Sequence, residues 1–235
     1  MVLQDDTNGR IDCLGPWFHN LHLPDGRETI PGHPYYRKKR TEDFIRTAAL
    51  VVAEYPDARF IVVGGPDAFM PEYETELRLL ACELRLTERL RFLGDRPAVP
   101  RLLAASDIFV WLSEGEGMPH VILEAGAVGL PVVATLDHGS AQQITDSQTG
   151  LFMPHQDPGS VAAALCRLIA DPGLRTKLGA ALREEVKRAY AAKPLTRRWE
   201  QRFDEIIADG VRLPSLGGER GCSDEIPCPP SVAIR

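Results

Sequence analysis

Apolar residues recur with two different periods between residues 41 and 208, and the switches between them divide the chain into elements. After Thr41-Glu42-Asp43, residues Phe44, Ala48, Val51, Val52 and Tyr55 repeat at helical spacing. A hydroxyl cap with acids in the first turn predicts a helix that begins there and ends at Pro56-Asp57. Arg59-Phe60-Ile61-Val62-Val63 is a continuous apolar run entering Gly64-Gly65, the signature of a buried parallel strand. Glu72 to Leu84 returns to helical spacing, with Leu77, Leu80, Ala81 and Leu84 inward; Arg91 to Gly94 predicts a short strand and Val99 to Ala105 a short helix. Ile108 to Leu112 and Leu130 to Thr135 are two more buried strands, and Thr149 to Phe152 a turn with a last one. From Pro158 the pattern is helical. Val161, Leu165, Leu168 and Ile169 line one helix up to Asp171-Pro172-Gly173, and Leu174 to Tyr190 forms a second. Leu195 to Ala208 forms a third, with Trp199, Phe203 and Ile206 or Ile207 inward. Strands alternating with helices imply an α/β fold: a parallel sheet with helices on both faces.

The chemistry concentrates in Ser113-Glu114-Gly115-Glu116-Gly117-Met118-Pro119, between the strand at 108–112 and a helix over 120–128 that Gly129 stops. Pro119 suits the first helical position, because its missing N–H has no helical partner there. A glycine turn at the positive end of a helix presents free N–H groups to a phosphate. Glu116 and Glu124 lie eight residues apart, about two turns, so they point to the same side. Carboxylates repel phosphate; they suit hydroxyl groups, as on a ribose or a sugar. Gly64-Gly65 allows close approach of a ligand at the carboxyl end of another strand. The run Arg37-Lys38-Lys39-Arg40 is either a solvated basic stretch before a helix or a phosphate contact.

Three other chemistries are disfavoured. A glycosidase sets its two carboxylates across a glycan cleft, not on a turn and its own helix. Ser113 lacks the preceding glycine of a nucleophile elbow. No Walker A lysine motif is present.

The residues Glu116-Gly-Met-Pro-His-Val-Ile-Leu-Glu124 resemble the Glu-x7-Glu motif of retaining glycosyltransferases with the GT-B fold, the glycogen-synthase-like, group 1 family. Gly129-Leu-Pro-Val-Val-Ala-Thr135 and Thr149-Gly150-Leu-Phe-Met-Pro154 match it in order and spacing, and the likeness runs from about Arg40 to Gly210. The resemblance implies a Rossmann-like, C-terminal, donor-binding half of a two-domain enzyme. It implies transfer of a sugar from a UDP- or GDP-linked donor, with no cofactor, to an acceptor held by a separate N-terminal domain. The alternative is a non-catalytic nucleotide-sugar-binding remnant or subunit. By the same resemblance Glu116 is the catalytic candidate. Lys38 or Lys39, Gly64, Gly65, Arg96, Gly115, Gly117, Met118, Pro119 and Glu124 are the donor-binding candidates, with Glu124 on the ribose and Arg96 at the base. His33 stands where relatives carry a phosphate-binding arginine, and Gln142 where they carry a glutamate.

The remaining features set boundaries. Residues 1–36 show no apolar first strand and are read as an extension, poorly ordered or a small hairpin turning at Asp25-Gly26; 37–210 form the donor domain and 211–235 a disordered tail. His19, His22 and His33 have no carboxylate at ligand spacing, so no metal site is expected. Five cysteines without a C-x-x-C pair suggest reduced thiols. A net charge of −6 disfavours nucleic acid as a partner. No apolar run approaches the roughly 20 residues of a membrane span, and no signal peptide is visible. These point to a cytoplasmic protein, with peripheral membrane contact left open.

Overall fold

The computed structural model describes residues 12–17, 36–65, 70–96 and 99–208. Contacts divide the chain into two compact units, 1–195 and 196–235. Among the described residues of the first unit, six strands form one sheet: β1 (Asp12–Trp17), β2 (Arg59–Val63), β3 (Leu90–Phe92), β4 (Ile108–Trp111), β5 (Val132–Thr135) and β6 (Leu151–Met153). Their order is β3-β2-β1-β4-β5-β6 and every neighbouring pair is parallel. The helices between and after them are α1 (Thr41–Glu54), α2 (Pro71–Glu83), α3 (Val99–Ala104), α4 (His120–Val128), α5 (Pro158–Ala170), α6 (Pro172–Ala189) and α7 (Ala192–Ala208).

Side chains that alternate across a strand sort into two cores, which is why the strands read as unbroken apolar runs. Phe60, Val62, Ile108, Val110 and Val133 face one core with Phe44, Ala48 and Val51 of α1, Leu77 of α2 and Leu165 of α5. Ile61, Val63, Phe109, Trp111 and Val132 face the other with Leu103 of α3 and Ile122 and Ala125 of α4. The sheet therefore carries helices on both faces.

Three sequence expectations are corrected. Residues 12–17 are not an extension: they form β1, the strand between β2 and β4. Asp12, Gly15 and Pro16 dilute its apolar pattern to Cys13, Leu14 and Trp17, and Cys13 is fully buried. Proline has no N–H for the ladder, and the register with β2 shifts between Leu14 and Trp17. Thr41 is not a cap but the first helical residue of α1. Arg40 precedes it in the left-handed region at φ 54°, with no side-chain cap. Pro119 is likewise one residue too early: α4 starts at His120, and Pro119 is extended before it. Gly129 does end α4, at φ 84°, a conformation that favours glycine. The candidate hairpin at Asp25-Gly26, the histidines 19, 22 and 33, and the tail 211–235 lie outside the described residues.

In the second unit residues 196–208 are described, as the continuation of α7. The Trp199 and Phe203 rings lie 5.9 Å apart, and both side chains are exposed, as are Ile206 and Ile207, of which one or the other was expected to face inward. α7 alternates charge with aromatic residues, and a helical stripe of that kind is legible without revealing what covers it.

Candidate functional site

In an open parallel sheet the ends of the strands, where the order reverses, frame a crevice for ligands. Here β1 lies between β2 and β4, the chain running outward through β2 and β3 before it crosses to β4, and the turn 113–119 leaves the carboxyl end of β4. Gly115 adopts φ 72° in that turn; Gly115, Gly117 and Met118 are exposed, and Pro119 is buried. Among the described residues, a Cβ built on Gly117 meets no atom within 4 Å.

Of the two lysine candidates, Lys39 reaches this turn. It ends a short 3-10 helix, Tyr36–Lys39, and its ammonium is ion-paired with the Glu116 carboxylate. The same Glu116 oxygen accepts the Ser113 hydroxyl at 2.5 Å. The ammonium also lies 4.6 Å from the centre of the Trp111 ring, which is buried at the end of β4. An ammonium over an indole face adds a cation–π attraction to the ion pair. Lys39 and Glu116 are each about a quarter exposed, at 23% and 25% of their side-chain surfaces. Lys38 belongs to the same short helix, and its side chain lies outside the description.

A second carboxylate in the turn, Glu114, gathers neighbours from two loops. Arg40 approaches it at 3.6 Å, the Gln156 amide donates to it at 3.2 Å, and His155 Nδ1 stands 3.8 Å away. Arg40 also donates to Asp43 at 2.8 Å. Burial works against its cation, but Asp43, Glu42 and Glu114 outweigh this and push its pKa up. These contacts hold a non-glycine residue in a left-handed conformation that costs free energy.

The floor of the turn comes from the loop after β5. Thr135 donates to the Ser113 carbonyl at 2.9 Å, and Ser140 donates to the Thr135 carbonyl at 2.8 Å. Asp137 accepts the Ser140 N–H at 2.8 Å and the Glu116 N–H at 3.3 Å. Gly139 approaches so closely that a Cβ there would stand 2.3 Å from the Glu116 carbonyl oxygen. Sequence reasoning missed Ser113 as a Glu116 partner, and missed Glu114, Trp111, Asp137 and Gly139. The Asp-x-Gly-Ser spelling of 137–140 is a turn signal, but nothing in it says which turn it supports.

The other candidates lie along the sheet edge or on α4. Gly64 and Gly94 are bridged between the ends of β2 and β3, and the Gly65 N–H donates to Asp95 at 2.8 Å. Arg96 is exposed. Glu124 is half-buried on α4, with no hydrogen-bond or ion-pair partner among the described residues. Gln142 is exposed, and its carbonyl accepts the Tyr190 hydroxyl at 2.6 Å.

With the geometry in place, comparison with known proteins is decisive. The family model "Glycosyl transferases group 1" matches residues 30–171. The chain belongs to this family. It is 32% identical over 175 residues to the N-acetyl-alpha-D-glucosaminyl L-malate synthase of Bacillus anthracis, covering 74% of this chain and 44% of that protein. It is 30% identical over 188 residues to a D-inositol 3-phosphate glycosyltransferase of Corynebacterium urealyticum, covering 78% and 42%. The chain thus spans less than half the length of these relatives. Among solved structures, the C-terminal domain of a group 1 glycosyltransferase (LpcC) from Francisella tularensis superposes with a TM-score of 0.64 at 25% identity, over 78% of this chain and 86% of that one. Anabaena Alr3699/HepE, solved in complex with UDP, shares the fold with a TM-score of 0.72 at 21% identity, over 84% and 50%. The fold is the Rossmann-like half of a GT-B glycosyltransferase. Among the described residues no helix is long and apolar enough to cross a membrane, and no group of three metal-ligating side chains occurs.

Proposed function

We propose that this chain is the donor-binding half of a retaining glycosyltransferase, which holds a UDP- or GDP-linked sugar for transfer to an acceptor. One observation carries the reading: among the described residues the one carboxylate in contact with Lys39 is Glu116, on a glycine turn at a strand end, while Glu124 has no hydrogen-bond or ion-pair partner along the following helix. Lys39 and the N–H groups of 115–118 supply positive potential for a diphosphate. Glu124 accepts hydroxyl hydrogen bonds from the ribose. When phosphate takes Lys39, Glu116 is released toward the sugar, still oriented by Ser113.

The chemistry then follows from charge and position. As the anomeric bond breaks, negative charge grows on the departing phosphate, and preorganised donors there are stronger in the transition state than in the ground state. Holding the anomeric carbon and the acceptor hydroxyl together supplies effective molarities of about 10⁵ M or more. The acceptor must be presented from across the cleft, and we assign that task to a complementary N-terminal domain. The non-catalytic alternative uses the same donor site without turnover.

Calorimetry with UDP- and GDP-sugars tests the site. Glu124→Ala should weaken binding by about 1.5–3 kcal/mol, the range for hydrogen bonds to a charged group; equal affinity for wild type and variant removes the ribose role. Donor turnover on adding an N-terminal domain, lost in Glu116→Gln, separates the enzyme from the remnant. The anomeric configuration of the product, read by NMR, tests retention.

A further inference from the structure

We propose that Trp111 is a positioning residue for the donor phosphates: its indole face keeps the Lys39 ammonium in the site while the cation changes partner from Glu116 to phosphate. The inference rests on the donor-site reading above. The backbone that carries Lys39 is pinned on both sides. Arg37 donates to Glu76 of α2 at 2.9 Å and lies 5.2 Å from the centre of the Tyr73 ring, and Arg40 donates to Asp43 at 2.8 Å. The side chain of Lys39 is then the moving part, a flexible four-carbon stem with a compact charge at its end. Among the described residues two groups hold that charge: the Glu116 carboxylate, and the Trp111 ring with its centre 4.6 Å away.

The two supports differ in kind. A carboxylate competes with phosphate for the cation, because each neutralises it. An indole face attracts the cation through the ring quadrupole and leaves its N–H donors for an anion. Phosphate can therefore displace Glu116 from Lys39 and leave the indole contact in place, which spares part of the rotamer entropy that an unsupported lysine loses on binding. Trp111 serves this role and not a hydrogen bond. It is 3% exposed, and its Nε1 has no partner among the described residues. A buried indole N–H left unmet costs stability, and phenylalanine would occupy the place without that cost. What tryptophan adds is the stronger π-face for a cation. Phe109, on the same face of β4, sets the plane of the ring: the two lie 6.3 Å apart and 22° from parallel.

The test is a double-mutant cycle, read by calorimetry with UDP and GDP on the full 235-residue chain: wild type, Trp111→Leu, Lys39→Met and the double variant. Trp111→Leu should weaken binding of the nucleotide about three- to thirtyfold, the range of a cation–π contact. Lys39→Met should weaken it at least as much, and adding Trp111→Leu to Lys39→Met should change affinity by no more than about twofold. Equal losses in both backgrounds would show that Trp111 acts by packing alone and overturn the inference, as would wild-type affinity in Trp111→Leu. Circular dichroism and the urea midpoint check the fold. If Trp111→Leu does not fold, Trp111→Phe, which keeps a ring face of weaker attraction, takes its place in the cycle. It should lose about two- to fivefold with Lys39 present and nothing without it; an equal loss in both backgrounds overturns the inference. Lys39→Met that binds like wild type overturns the phosphate role of Lys39, and no binding of UDP or GDP by wild type overturns the donor site; either result takes this inference with it.

Discussion

Gly139→Ala probes the contact that most directly holds the Glu116 turn. The backbone at Gly139 is ordinary, φ −72° and ψ −46°, so alanine introduces no conformational strain. Its effect is steric alone. The new Cβ would lie 2.3 Å from the Glu116 oxygen, 2.8 Å from the Gly117 oxygen and 2.9 Å from the Glu116 carbonyl carbon. Ordinary contact begins at 3.4 Å, so turn and loop must separate by 3.4 − 2.3 = 1.1 Å. All three atoms are backbone, and no side chain can swing aside. Overpacking of this kind costs about 1–3 kcal/mol, against about 0.4–1 kcal/mol returned by a stiffer unfolded chain. A net loss of about 1–2 kcal/mol should appear in urea unfolding as a lower midpoint with an unchanged slope. The larger effect is on function. A 1 Å misplacement of positioning groups costs roughly a hundredfold in rate, so donor binding should weaken and turnover with a complementary domain should fall by about that factor. Gly117→Ala is the control for stability, since its Cβ meets nothing within 4 Å among the described residues. If Gly139→Ala matched wild type in both unfolding midpoint and donor affinity, the loop after β5 would not be supporting the turn.

Further predictions test different forces. Gln143 is 2% exposed, and neither its amide oxygen nor its nitrogen has a partner among the described residues. Gln143→Leu should therefore raise stability by about 1–3 kcal/mol, the penalty for burying an unmade amide; a lower urea midpoint would show that the amide is satisfied. Glu116→Gln should abolish turnover yet tighten nucleoside diphosphate binding about tenfold. It frees Lys39 and removes a carboxylate charge worth ~1–2 kcal/mol at several Å in a partly exposed site. Weaker binding by Glu116→Gln would mean that Glu116 holds Lys39 in its binding position instead of competing for it.

What the sequence made legible follows from range. Unbroken runs such as 59–63 and 108–112 announce strands buried on both faces, and both appear in register. Glu116, Glu124 and their glycine turn are local in sequence, so spacing and family resemblance locate them. β1 was hidden because pairing makes it a strand: its six residues include aspartate, glycine and proline, and the flanking strands β2 and β4 supply the ladder. Spacing alone could not show that Lys39 pairs with Glu116, because a short 3-10 helix sends its ammonium to a carboxylate 77 residues away. Thr41 looked like a cap because hydroxyls usually are. Arg40 displaces that role, held in its left-handed conformation by Asp43 and Glu114, one near and one distant. Asp137 and Gly139 were illegible for the same reason, since each acts on a backbone group more than 20 positions away.

Locating a nucleoside diphosphate bound to the chain, by crystallography of the complex, tests the central claim most directly. The account predicts the phosphates within hydrogen-bond distance of the N–H groups of 115–118 and of the Lys39 ammonium, which leaves Glu116 to receive them. It also predicts the ribose hydroxyls on the Glu124 carboxylate. A nucleotide bound elsewhere, or bound here with the Lys39–Glu116 pair intact and Glu124 untouched, would contradict it.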